Sequence, residues 1–150
     1  MADLVSVVVG AVLAVGGGAT TQWYLHRLKS DEERRMKRQL KFEEIIAALY
    51  DHQDWLNEIE RRRVFGEDIK RRVSPLAKIR AIAAVHFPEA NGDLGELTIA
   101  THGYEQWMLA KQTKRLAKEP VDTGDIGPVY GAYNEKLNAA IQELIRLATV

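Results

Sequence analysis

The chain of 150 residues contains no cysteine, which excludes disulfides, thiolate zinc sites and thiol redox chemistry. Proline is scarce, with four in all, and the first is Pro75. Neither glycine nor proline occurs between Ala19 and Phe65, so nothing in that stretch forces a helix to stop. No segment alternates apolar and polar residues as a half-buried strand must, and no internal repeat is present. The signatures of common chemistries are missing as well. There is no His-Glu-x-x-His pair for zinc, no glycine-rich phosphate loop with its lysine, and no Gly-x-Ser-x-Gly elbow. No metal site and no cofactor are expected, and nothing points to a small-molecule substrate.

The longest absence is of charge. From Leu4 to Leu25 there is no charged side chain, and 22 such positions extend about 33 Å as a helix at ~1.5 Å per residue. That length spans a hydrocarbon core of roughly 30 Å. The run closes on Trp23 and Tyr24, ring types that settle at a membrane interface, and then on His26, Arg27 and Lys29. A secretory signal would need a positive leading region, whereas only Met1, Ala2 and Asp3 precede the run. A buried core helix is the other alternative, and the residues that remain offer little core to bury it. The expectation is a single-pass transmembrane anchor over residues 1–28. Seven Lys/Arg against three acids between His26 and Lys41 place the C-terminal domain in the cytosol, on the inner (cytoplasmic) membrane. Ser6, Gly10, Ala14, Gly18 and Gln22 recur every fourth residue along one ridge, which suits close helix–helix approach in lipid, as a dimer or around a pore.

Residues 29–41 form a charged stalk, with Met36 the one apolar residue from Lys29 to Gln39. Residues 42–150 read as a cytosolic helical bundle. Phe42, Ile45, Ile46, Leu49, Trp55, Leu56 and Ile59 recur at three- and four-residue steps, and Gly66 ends that helix. Ser74-Pro75 starts a second helix that carries Leu76, Ile79, Ile82, Ala83 and Phe87 up to Pro88. Residues 89–93 form a turn. A third helix spans 93–118, with Leu94, Leu97, Ala100, Tyr104, Trp107 and Met108 inward, and Gly103 suggests close packing against a neighbour. After a loop at 119–127, Pro128 opens a last helix bearing Tyr130, Tyr133, Leu137, Ile141, Leu144 and Ala148. The fold class is therefore all-α: an N-terminal transmembrane helix, a stalk and an antiparallel four-helix bundle.

Charge is unevenly spread in the bundle. Residues 61–80 hold eight Lys/Arg, among them Arg61, Arg62, Arg63, Lys70, Arg71 and Arg72, against only Glu67 and Asp68. This basic patch suits a solvated corner or a contact with the acidic C-terminal half of another subunit, RNA or another phosphate polymer, or anionic lipid. Asp51, His52, Asp54 and Glu58 cluster in sequence without a metal motif and read as a solvated polar face.

Arg80 and His86 stand six apart in the second bundle helix. This pair resembles the Arg-x(4–6)-His signature of HEPN domains, four-helix bundles of which many are dimeric ribonucleases. The resemblance implies histidine as proton carrier and arginine as phosphate holder, although Ala81 stands where that family often has a polar residue. Anchor, stalk and bundle together resemble the membrane accessory proteins of type VI CRISPR systems, which form pores in the inner membrane. That likeness implies a homo-oligomeric membrane effector in antiviral defence, with RNA or an RNA-guided effector as partner. A membrane-tethered ribonuclease using Arg80 and His86, and a non-catalytic scaffold recruiting a cytosolic partner, are the alternatives.

Overall fold

A computed structural model describes the backbone of residues 2–70 and 72–149 and the side chains of residues 26–70 and 72–149. Every regular element among them is helical. In chain order these are α1 (Ala2–Glu60), a π turn (Arg61–Phe65), α2 (Leu76–His86), a 3-10 turn (Pro88–Ala90), α3 (Asn91–Leu116) and α4 (Ile126–Ala148). The chain divides into two compact units, Met1–Gln39 and Leu40–Val150. Among the described residues no helix is long and apolar enough to cross a membrane. The span expected at Leu4–Leu25, with its ridge of Ser6, Gly10, Ala14, Gly18 and Gln22, lies outside the side chains described.

In the first unit, none of the described side chains is buried, and Leu28 and Met36 stand in solvent with the charged residues around them. The second unit owns the core. Ile45, Leu49, Leu56 and Ile59 of α1, Leu94, Leu97, Tyr104 and Met108 of α3, and Tyr133, Leu137, Leu144 and Leu147 of α4 are all buried. Their three- and four-residue spacing puts one stripe of each helix inward, and burying these stripes against one another provides the main driving force for folding. The α2 helix adds Ile79, Ile82 and Ala83, and Phe87 seals its end.

Cross-helix contacts give the directions. Lys78 reaches Glu44 and Arg72 reaches Glu58, so α2 runs back along α1. Lys136 reaches Glu96 while Lys111 reaches Asp125, so α4 runs back along α3. Lys111 is almost wholly buried, lies over the Trp107 ring, and donates to Asp125, which also accepts from Trp107 Nε1 at 2.9 Å. This network fastens the loop before α4 to α3.

Three local expectations need correction. The segment 89–93 is helical rather than a turn between helices: Pro88 starts a 3-10 helix that runs to Ala90, a role its fixed φ favours, and α3 follows directly from Asn91. The α4 helix starts at Ile126, because Asp125 is held from behind by Lys111 and Trp107 and Pro128 falls within the first turn, where its missing N–H costs nothing. Gly103 is exposed with nothing within 4 Å of where a Cβ would stand, so it packs against no neighbour.

Gly66 is the opposite case. Its φ of +78° favours glycine, and a Cβ there would stand 2.7 Å from Arg115 Nη1. Gly103→Ala should therefore stabilise the chain by about 1 kcal/mol, while Gly66→Ala should destabilise it by about 1 kcal/mol or more. Thermal unfolding followed by circular dichroism checks both signs.

Candidate functional site

The basic patch acquires its shape where α1 ends. Both Gly66 N–H and Glu67 N–H donate to the carbonyl of Arg61, and Arg115 Nε donates to the carbonyl of Arg63 at 3.0 Å. Three donors thus serve two carbonyls of the widened turn, those of Arg61 and Arg63. The loop that follows is tied back by Trp55, whose Nε1 donates to the carbonyl of Arg72 at 3.0 Å. Ser74 Oγ accepts from Leu76 N–H at the start of α2, close to the capping role its sequence suggested.

These constraints leave an open cleft of about 490 Å3 between α1, the loop and α3. Trp55, Ile59, Arg62, Arg63 and Arg72 form much of its wall, Glu105 of α3 contributes one carboxylate, and Val73 and Ser74 complete the loop side. The arginines are not equivalent. Arg61 is turned to Glu67, and Arg72 Nη1 donates to Glu58 at 2.9 Å. Arg62 and Arg63, both half-buried, make no ion pair among the described residues. Lys70 is exposed beside an adjoining hollow lined by Trp55 and Arg62, and Arg71 lies outside the described residues. Composition located this patch. It could not identify Trp55, Ser74 and Glu105 as its walls, since they come from other elements.

The Arg80 and His86 pair is not brought to this cleft. Both lie on α2, Arg80 exposed and His86 half-buried at the last helical position, and no hydrogen bond or ion pair joins them. No group of acids and histidines suited to a metal ion occurs among the described residues. Of the polar cluster in α1, Asp51 and Asp54 are exposed, but His52 is fully buried, which corrects the expectation of a solvated face. His52 takes a core position of the α1 stripe because Leu49 and Leu56 flank it at three- and four-residue steps.

His52 sits beneath the cleft. Its ring stacks on Trp55 at 5.5 Å and meets the edge of Tyr133, and Nε2 lies 3.2 Å from Thr101 Oγ1. Nδ1 of His52 and the hydroxyl of Tyr133 are buried with no hydrogen-bond partner among the described residues. No acid faces the ring, so burial alone pushes its pKa down to about 4. Burial likewise holds the hydroxyls of Tyr133 and Tyr104 protonated, and Tyr104 also donates to Glu60 at 2.9 Å. In the comparisons with protein-family models, curated proteins and solved structures, the chain matches none.

The unfolded chain binds a proton at His52 near pH 6.5, whereas the folded chain does so only near 4. Stability is therefore complete above about pH 6.5, falls as pH drops towards 4, and loses on the order of 3 kcal/mol. Glu44, whose pKa Lys41 and Lys78 lower from 4.5 to about 2, is ionised in both the folded and the unfolded chain at the upper end of this window and so does not interfere there. Denaturant midpoints between pH 7 and 5 should fall for the natural chain and stay nearly flat for His52→Leu.

Proposed function

We propose that this protein is a membrane-anchored, self-associating helical module. Its residues 4–25 lie in the inner membrane, and its bundle stands in the cytosol. One observation carries the reading: the run Leu4–Leu25 falls wholly inside α1, and a helix with no charged side chain over 22 positions needs an apolar solvent. The charged residues from Arg27 to Lys37, all exposed, supply the hydrated end such a helix requires. Association through the Ser6, Gly10, Ala14, Gly18 and Gln22 ridge makes the module a homo-oligomer, and an oligomer of this kind acts by perturbing the membrane that holds it. This reading needs no catalytic group. It treats Arg80 and His86 as surface residues of α2.

The test is fractionation followed by sizing. The full chain should stay in the membrane fraction through high-salt and alkaline washes, and in mild detergent it should run as a multimer by light scattering. Gly10→Leu with Gly18→Leu should shift it to monomer while leaving it membrane-bound. Recovery of the intact chain as a monomer in the aqueous fraction would overturn the proposal.

A further inference from the structure

We infer that the cleft between α1, the 66–75 loop and α3 is a phosphate-binding site, with Arg62 and Arg63 as its anion-holding residues. The site lies wholly within residues 40–150 and does not depend on how the chain meets a membrane. Three observations converge on it. The volume of about 490 Å3 is in the range of small-molecule sites and leaves room for a phosphate and an attached group. The charges are selective: Glu67 and Glu58 occupy Arg61 and Arg72, while Arg62 and Arg63 line the cleft with no carboxylate engaged among the described residues. A guanidinium presents a planar fork of donors matched to phosphate oxygens, and such charge-assisted bonds are the strong ones. The site is also held in place beforehand, because Arg115 fixes the carbonyl of Arg63 and Trp55 fixes that of Arg72. Little backbone ordering is left to oppose binding.

The remaining walls narrow the ligand. Trp55 and Ile59 give one side an apolar surface, so the group attached to the phosphate is partly apolar or planar. Glu105 repels a second anionic centre on the α3 side, which disfavours ligands with charge at both ends. A nucleoside phosphate and the glycerophosphate of a lipid headgroup both satisfy these conditions, and the shared element is the phosphate on the Arg62–Arg63 pair.

The test is calorimetric titration of the full chain in non-ionic detergent at low salt. The probes are inorganic phosphate, adenosine diphosphate and glycerol 3-phosphate, with sodium chloride raised in steps. Saturable 1:1 binding that weakens with salt is expected. Arg62→Ala and Arg63→Ala should each weaken it about tenfold or more, with helix content and melting temperature kept. Glu105→Gln should strengthen it several-fold, a gain that damage to the fold cannot mimic. Tighter binding of the diphosphate assigns a nucleotide source, and tighter binding of glycerol 3-phosphate assigns a lipid headgroup. Absence of saturable binding for all three probes, or binding indifferent to both arginine variants, would overturn the inference.

Discussion

Helix α1 stops at Gly66, and the way it stops decides where the positive charge goes. A helix leaves its last carbonyls without partners, and here the N–H groups of left-handed Gly66 and of Glu67 serve that of Arg61 while the side chain of Arg115 serves that of Arg63. Consecutive side chains on a helix point about 100° apart, so three arginines in a row cannot share one direction. Arg61 swings out to Glu67, while Arg62 and Arg63 remain beside Trp55 and Ile59. Had α1 continued as a regular helix past Gly66, the loop could not return to Trp55 and there would be no cleft.

Trp55 couples this corner to the core. One edge of its indole holds the loop through the carbonyl of Arg72, and its face stacks on His52. Below it, His52, Thr101 and Tyr133 bring one polar group each from α1, α3 and α4 into the core at one level. Such a layer costs stability unless its members satisfy one another, and a sliding helix would break the His52–Thr101 pairing. The wall of the cleft is thus the outer side of a register-sensitive level of the bundle.

Much of the architecture was legible in the chain. The three- and four-residue spacing of Ile45, Leu49, Leu56 and Ile59 and of Leu137 and Leu144 identified inward faces, and Gly66 and Ser74-Pro75 marked real ends. Leu147 and Thr101 escaped, the first because it closes a stripe at the chain's end and the second because it is polar. His52 escaped for a similar reason: Asp51 and Asp54 beside it suggested a wet face, although the helical period carries it to the core. The basic patch was visible as composition. The cleft was not, because it depends on Trp55 meeting a backbone carbonyl 17 residues away and on Arg115 reaching across 52.

The distribution of ion pairs separates stability from function in this molecule. Exposed pairs such as Arg146 with Glu143 or Arg61 with Glu67 contribute little to folding, since water already solvates both partners. Lys111 differs: nearly all of its surface is buried, so Asp125 and the Trp107 ring compensate a charge that solvent barely reaches. That pair serves the fold by fixing the loop before α4. Arg62 and Arg63 fit neither class, being half-buried and without a carboxylate among the described residues. Two adjacent cations in a half-shielded concavity repel each other, and neither the core nor the termination of α1 uses their side chains. Their arrangement makes physical sense as a site whose electrostatic balance is completed by an anion from outside the chain.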